Sequence, residues 1–413
     1  MKRPNPEENI AIMRFGLIGD HPDGLKLTHA LAELSSYELV VVAGPKSTVD
    51  HLRQAGHAFA IVPDVEALLV IPQVEMVIIA DALDHRGEML RRAVQSDKHV
   101  LCVHPPDILP DITYETAMIQ QETRKLLLPV LSWRLTPPVR RLWELCKDRL
   151  GKVELLQWER ILPKSPLEPP EGWDRHPLVD SWELLRFLGG EVRDVSAVGP
   201  EGETLLPRDS LTLTGRFEDG GQYRVLLSLQ PDERPESLLI RGEQGEATLT
   251  SHPSGTFSLR IQAAGKLDLE EFPAHDAMRA FAVHVDACLA GARPLVLWQD
   301  AARCLELFEA ARSSVKRRRV IPMYYEEFTE TSGFKGVMTS LGCGVLLLAL
   351  AILVSLLVFK VPLKPWILGI VLPLLGIFLL LQALRWLVPQ ESDKASKAQI
   401  DKKAEDPSGY RRP

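Results

Sequence analysis

The stretch FGLIGDHPDGLKLTHAL, residues 15–31, decides the fold of this 413-residue chain. Its apolar start, Phe15–Ile18, is typical of a short buried strand. Beyond the turn, Leu27 and Leu31 recur at the spacing of one helix face. A glycine turn between a strand and a helix is the setting in which backbone N–H groups bind the pyrophosphate of a dinucleotide. The stretch therefore predicts the first strand, turn and helix of a Rossmann-like sheet.

The turn departs from the usual G-x-G-x-x-G pattern at its middle position. Gly19 and Gly24 occupy the first and last glycine positions, but His21 stands where a glycine would let phosphate approach the backbone. Pro22 has no N–H to donate, and Asp20 adds negative charge where a phosphate would bind. We expect a nucleotide site of reduced affinity, lined by Gly19, Asp20, His21 and Gly24.

Composition excludes several classes of protein. A net charge of −7 gives no general attraction to nucleic acid, so no nucleic-acid partner is expected. With 46% hydrophobic and 25% charged residues, the chain can bury ordinary globular cores. The five cysteines are far apart and form no C-x-x-C, so neither a disulfide framework nor a metal site is expected.

The order of apolar segments predicts two folded domains of the α/β class. From residue 13 to 130, strand-like runs alternate with helical patterns, which indicates a parallel sheet covered by helices. From 131 to 325, several strands follow one another with few helices, and FEDGGQY (217–223) is a hairpin signal. The second domain should therefore hold a large, mostly antiparallel sheet.

The two ends of the chain differ in composition. Residues 1–12 form a polar leader without the apolar run of a secretory signal. After a linker at 326–336, the segments 337–359 and 366–384 contain no charged residue, and each can cross a hydrocarbon core of about 30 Å. We therefore expect a transmembrane hairpin at 337–388. The polar tail at 389–413 is expected to be disordered.

Several strings together resemble the glucose–fructose oxidoreductase/inositol dehydrogenase (Gfo/Idh/MocA) family, from about residue 13 to 323. These strings are VEMVIIA (74–80), HRGEMLRRAVQSDKHVLCVHP (85–105), LLRFLGGEV (184–192), IRGEQGEATL (240–249) and the segment from 280 to 320. The resemblance implies an NAD- or NADP-binding Rossmann domain and hydride transfer on a sugar, a cyclitol or a related compound. It also implies a second domain whose open sheet often forms an oligomer interface.

The family's cofactor residues are altered in this chain. The acid that would bind the adenosine ribose is replaced by Gly44, and Lys46 follows two residues later. This replacement favours NADP over NAD if Lys46 meets the 2′-phosphate; the alternative is a solvated loop charge. The resemblance also places Arg86 where the family has a histidine at the start of a helix.

The family's catalytic motifs are altered as well. Its E-K-P motif reads Val103-His104-Pro105, and histidine can shuttle a proton near neutral pH. Its D-x-G-x-H-x-x-D motif aligns best with a segment in which acid and histidine are exchanged. The resemblance thus implies four catalytic candidates, His104, His176, Asp180 and Glu183.

Three interpretations remain open at this point. The chain is an active oxidoreductase with altered site residues, a non-catalytic relative that binds a nucleotide, a sugar or a partner, or a relative with other chemistry such as NAD-assisted hydrolysis. Retained binding of NAD or NADP favours the first and third interpretations. A polar cleft without turnover would favour the second.

We predict that both chain ends face the cytoplasm. Basic residues flank the hairpin on both outer sides (Arg317, Arg318, Arg319, Lys335, Arg385, Lys394, Lys397, Lys402 and Lys403), whereas the loop between the spans holds only Lys360 and Lys364. Positive charge near a span stays on the cytoplasmic side. A reporter fused after residue 413 should therefore report the cytoplasm, and a signal from the opposite side of the membrane would contradict this topology.

Overall fold

The computed structural model describes residues 12–108, 110–123, 125–163, 177–199, 210–230 and 234–324. As far as Met323 these residues belong to one compact unit. Within them, no helix combines the length and apolar character needed to cross a bilayer. The predicted hairpin at 337–388, its linker and the polar tail lie outside the described residues.

The first part of the chain folds around a parallel sheet. Its strands, in the spatial order β3-β2-β1-β4-β5-β6, have the order of a dinucleotide-binding Rossmann sheet. All of the neighbouring pairs are parallel. The elements are β1 (Met13–Gly19), α1 (Pro22–Ala32), β2 (Tyr37–Ala43), α2 (Lys46–Gln54), β3 (Ala60–Ile61), α3 (Val65–Leu69), β4 (Met76–Ala80), α4 (Leu83–Gln95), β5 (His99–Val103), α5 (Asp111–Thr123) and β6 (Leu127–Val130).

The central strands of this sheet are apolar on both faces because helices cover both. Every residue of β4 is buried. Phe15 and Leu17 belong to one apolar cluster, with residues of α1, whereas Ile18 belongs to the cluster on the opposite face. Two-sided burial of this kind requires continuous apolar runs rather than alternation, which is the pattern that the sequence shows.

The second part of the chain is built on a larger sheet. Its spatial order is β14-β13-β12-β11-β7-β10-β9-β8-β15. The elements are α6 (Pro137–Leu145), β7 (Val153–Pro163), α7 (Pro177–Gly189), β8 (Val192–Val198), β9 (Ser210–Phe217), β10 (Gln222–Gln230), β11 (Glu236–Gly242), β12 (Gly245–Ser251), β13 (Phe257–Ala263), β14 (Lys266–Phe272), α8 (Ala277–Leu289), α9 (Trp298–Arg317) and β15 (Ile321–Pro322). A 3₁₀ turn (Trp133–Leu135) precedes α6, and a π turn (Cys146–Leu150) follows it.

One face of the second sheet packs against helices. Trp182 on α7 and Phe308 on α9 are fully buried in the same apolar cluster as alternate residues of the strands. Helix α8 instead joins the core of the first sheet, where Phe281 packs with residues of α1. The two sheets are therefore held in one unit by helices from the second half of the chain.

The α/β class and the parallel first sheet are confirmed. The second sheet is mostly antiparallel, as predicted, but β7 and β10 pair in parallel, so the sheet is mixed. The predicted hairpin is present between β9 and β10, with Gly220 at a positive φ of 95°. Strand β3 was not predicted, because its two residues, both exposed, are too few to show the apolar periodicity of a strand.

Candidate functional site

The glycine turn between β1 and α1 is shaped by Ala80, the last residue of β4. Gly19 has a φ of +97°, and a Cβ there would lie 2.3 Å from the Ala80 carbonyl oxygen. A Cβ on Gly24 would lie 2.2 Å from the Ala80 side chain. Both glycines are therefore required by close packing of the turn and of α1 against β4.

The N–H groups of Asp20, His21 and Asp23 are already used within the protein. Asp20 and His21 both donate to the Ala80 carbonyl, at 3.0 and 2.8 Å. The Asp23 N–H donates to Nδ1 of His21 at 3.2 Å, and Pro22 has no N–H. As it stands, this turn fits a dinucleotide pyrophosphate poorly, because three of its N–H groups already have acceptors within the protein.

The edge of β2 also differs from an ordinary ribose site. A Cβ on Gly44 would lie 2.8 Å from the carbonyl oxygen of Gly19, so a carboxylate side chain is excluded there by the backbone of the turn. Lys46, the first residue of α2, is exposed. A lysine in this place can meet a 2′-phosphate, and its predicted preference for NADP stays a prediction.

Arg86 and His104 lie together at the carboxyl ends of β4 and β5. The fully buried Arg86 guanidinium donates to the main-chain carbonyls of Asp81, at 2.9 Å, and of Pro105, at 2.6 Å. It ties together the two loops that follow these strands. These bonds give Arg86 a structural role. Its predicted contact with a cofactor stays a prediction.

His104 is a buried, neutral imidazole. Burial, and secondarily the nearby Arg86 charge, lower its pKa to about 3. Neither ring nitrogen has a hydrogen-bond partner among the residues that the structure describes. His104 therefore carries no positive charge at neutral pH, and its predicted role in proton transfer stays a prediction.

Glu183 belongs to a buried network of charged side chains. Its carboxylate contacts the Arg134 guanidinium, which also forms a bidentate pair with Asp300 at 2.8 and 3.1 Å. Arg186 binds Asp300 at 2.9 Å and also pairs with Glu191. Three carboxylates thus share two guanidinium groups. The network joins α7 and α9 to the turn that precedes α6.

Burial of Glu183 has a direct electrostatic consequence. Removal from water raises its pKa to about 7, and the Arg134 charge opposes this rise only in part. The fully buried carboxyl therefore holds a proton at higher pH than an exposed glutamate does. This placement favours a structural role, and the catalytic role of Glu183 stays a prediction. Asp180 lies in the first turn of α7, and His176 lies outside the described residues.

A cavity of about 240 Å³ lies where a Rossmann sheet binds ligands, beyond the carboxyl end of β6. The first domain borders it through Asp23 at the start of α1, through Val130, the last residue of β6, and through the segment Leu131–Trp133, which follows directly. The second domain borders it from β13 and from the start of α8. Its further lining residues are Thr136, Phe257, His275, Ala277 and Met278.

The cavity combines polar groups with apolar walls. Ser132 and Thr136 bring hydroxyl groups, Asp23 a carboxylate and His275 an imidazole whose Nε2 is buried and unpartnered within the described residues. Trp133 adds an aromatic wall. Sequence reasoning missed this lining. The position of Ser132 just after an apolar strand was the available signal, because ligands bind at such strand ends.

Comparison with known proteins shows which fold this is. A scan against models of protein families finds no match, and no curated protein matches the chain. Among solved structures, the aldose–aldose oxidoreductase of Caulobacter crescentus, complexed with glycerol, is 17% identical with a TM-score of 0.65. That likeness covers 76% of this chain and all of the other.

Two further structures carry nucleotides. An oxidoreductase from Agrobacterium radiobacter, in complex with NAD⁺, L-tartaric acid and magnesium, is 13% identical, with a TM-score of 0.66 over 75% of this chain and 98% of its own. KijD10, a 3-ketoreductase from Actinomadura kijaniata in complex with NADP and TDP-benzene, is 18% identical, with a TM-score of 0.63 over 73% and 98%. The predicted Gfo/Idh/MocA-type architecture is thus confirmed at the level of the fold.

Replacing His21 by Gly and Pro22 by Ala together should strengthen nucleotide binding. The double variant restores an approach to the backbone and one N–H donor, and hydrogen bonds to a charged acceptor contribute roughly 1.5–3 kcal/mol each. Calorimetric titration of the full-length chain with NADP and NAD should show about tenfold tighter binding or more, which is about 1.4 kcal/mol. Tight NAD binding by the unmodified chain would mean that His21 is a ligand contact instead of an obstruction.

Replacing Glu183 by Gln should flatten the pH dependence of stability. The folded-state pKa of Glu183 is raised from 4.5 to about 7, so its contribution to the free energy of unfolding is complete below pH 4.5 and is lost as pH rises through 7. Urea denaturation across this range should show a smaller decline for the variant than for the wild type.

The exposed Glu144, on α6, provides the control, and Glu144→Gln should keep the wild-type pH dependence. An equal decline in the Glu183→Gln variant and the wild type would contradict the structural role. Loss of turnover in the Gln variant at an unchanged pH profile would instead support the catalytic prediction.

Proposed function

We propose that this chain is a membrane-anchored oxidoreductase acting on a hydroxyl or carbonyl group of a small sugar-like or cyclitol-like compound. The observation that carries this proposal is the cavity between the two sheets, beyond the carboxyl end of β6. Open α/β sheets bind their ligands at this edge. The three solved relatives named above are oxidoreductases or reductases of the same fold, which supports the same reaction class here.

The lining of the cavity suits a hydroxylated compound. The Ser132 hydroxyl can donate to and accept from hydroxyls of one ligand, and the Asp23 carboxylate can accept from them. The Thr136 hydroxyl, which donates to the Trp133 carbonyl at 2.8 Å, offers its oxygen as a further acceptor. Trp133 and Phe257 offer flat apolar faces. At about 240 Å³ the cavity is smaller than the roughly 300–1,000 Å³ of ordinary ligand pockets, so a compact compound fits better than an extended one.

A nicotinamide nucleotide is part of the proposal, but as a weakly held ligand. Phosphate can reach the turn only when the Asp20 and His21 N–H groups leave the Ala80 carbonyl. Leaving the buried Ala80 carbonyl without a hydrogen-bond partner would reduce the free energy of nucleotide binding by roughly 1–3 kcal/mol. A loss of this size weakens binding about tenfold or more. With Gly44 in place of an acid and Lys46 nearby, NADP is expected to bind better than NAD.

A second candidate function is a non-catalytic binding scaffold at the membrane. The observation that favours it is the same closed turn, because a protein that never binds a dinucleotide has no need of free donors there. The cavity would then bind a sugar-like compound, a nucleotide or a partner without turnover. Formation of NADPH in the presence of a bound ligand separates the two candidates.

Anchoring and assembly complete the proposal. The uncharged segments between 337 and 388 would hold the folded unit at the cytoplasmic face of a membrane. Association of two copies through the second sheet would follow the resemblance to the Gfo/Idh/MocA family. Both statements rest on the sequence.

Replacing Ser132 by Trp should fill the cavity and abolish ligand binding. The large ring would occupy the space that Ser132 borders. In thermal-shift measurements with glycerol, glucose and myo-inositol, a compound that raises the Tm of the wild type should leave the Ser132→Trp variant unchanged. Ser254, exposed on the loop between β12 and β13, is the control, and Ser254→Trp should respond like the wild type. If the compound raised the Tm of Ser132→Trp as much as that of the wild type, this cavity would be excluded as the binding site.

A further inference from the structure

Three histidines meet on the outer side of the first domain, away from the glycine turn. His29 lies in the last turn of α1, His51 in the last turn of α2, and His57 just beyond α2. Nδ1 of His29 lies 2.8 Å from Nε2 of His57, and Nε2 of His29 lies 3.4 Å from Nε2 of His51. The central imidazole therefore faces one neighbour with each of its ring nitrogens.

The bond between His29 and His57 determines what His29 presents to His51. If the shared proton is assigned to Nδ1 of His29, this nitrogen donates to Nε2 of His57, and Nε2 of His29 keeps its lone pair. Metal-binding histidines commonly donate their other ring N–H to a carboxylate, a main-chain carbonyl or water, which fixes the tautomer and the orientation of the ring. Here the acceptor is the neighbouring imidazole. His57 is thus placed as a positioning residue for His29.

The separation between His29 and His51 matches that of two ligands on one metal ion. Zinc–nitrogen bonds of 2.0–2.1 Å at a tetrahedral angle place two nitrogens about 3.4 Å apart. The two Nε2 atoms are separated by that distance. Among the residues that the structure describes, no group of three or more ligands is arranged to hold a metal, so this pair would leave the remaining positions to water.

We propose that His29 and His51 form a two-imidazole site for a divalent transition-metal ion, oriented by His57. Imidazole nitrogen binds zinc, copper and nickel, whereas magnesium and calcium prefer oxygen ligands. Glu33, which directly follows α1, is paired with Arg279 at 3.4 Å, so its negative charge near His29 is partly compensated. A bound ion would connect α1 to α2, the two helices that follow the first two strands.

The test uses the full-length chain without a polyhistidine tag, titrated with ZnCl₂ by calorimetry. Replacing His29 or His51 by Ala should remove one equivalent of bound zinc, and His57→Ala should weaken binding about tenfold or more. The exposed His85, on α4, is the matched control, and His85→Ala should bind zinc like the wild type. Zinc should also raise the Tm of the wild type and of His85→Ala more than that of His51→Ala.

The exposed position of His51 makes His51→Ala the decisive variant, because its loss does not disturb a core. Equal zinc stoichiometry and affinity in the wild type and in His51→Ala would overturn the proposal. An equal response to MgCl₂ and ZnCl₂ would overturn it too. Either result would leave the three histidines as a hydrogen-bonded surface cluster.

Discussion

The Ala80 carbonyl is the acceptor on which the turn between the first strand and the first helix depends. It binds the N–H groups of Asp20 and His21 and so fixes the turn between β1 and α1. The side chain of the same residue packs directly beneath Gly24. With the turn held in this position, the Gly19 carbonyl lies so close to Gly44 that no side chain fits at the end of β2. The end of β4 thus shapes both places where this kind of fold would hold a nucleotide, the turn for its phosphates and Gly44 for its ribose.

Buried charge at the centre of the molecule has mainly an architectural effect. Arg86 binds two main-chain carbonyls, and the Arg134 and Arg186 guanidinium groups connect α7, α9 and the turn before α6. Breaking such a pair leaves an uncompensated charge in a low-dielectric interior and destabilises strongly. Two of the catalytic and cofactor candidates, Glu183 and Arg86, are therefore also residues on which the fold depends, and any function they have is combined with this role.

The fold could be predicted from the sequence because its signals are local and repeated. Continuous apolar runs such as β4 can be explained only by two-sided burial, and the hairpin at Gly220 follows from its turn residues. The site could be predicted only in part. The histidine at the middle glycine position was visible in the sequence. The acceptor of the Asp20 and His21 N–H groups was not, because Ala80 is distant in sequence and a main-chain carbonyl leaves no trace in residue type. The cavity lining was missed for the same reason, since Ser132 and His275 meet only in three dimensions.

The packing of Gly19 and Gly24 changes what the glycine fingerprint can be taken to mean. Both residues are required by contact with Ala80, whether or not any ligand is present. A lineage released from selection for nucleotide binding would still lose stability on replacing either one, so natural selection would retain both. The middle position has no such packing contact with Ala80 in its favour, so it can change when nucleotide binding is no longer required. In divergent proteins of this fold, that one position is therefore the informative marker, and a search that counts two glycines out of three will mistake inherited architecture for function.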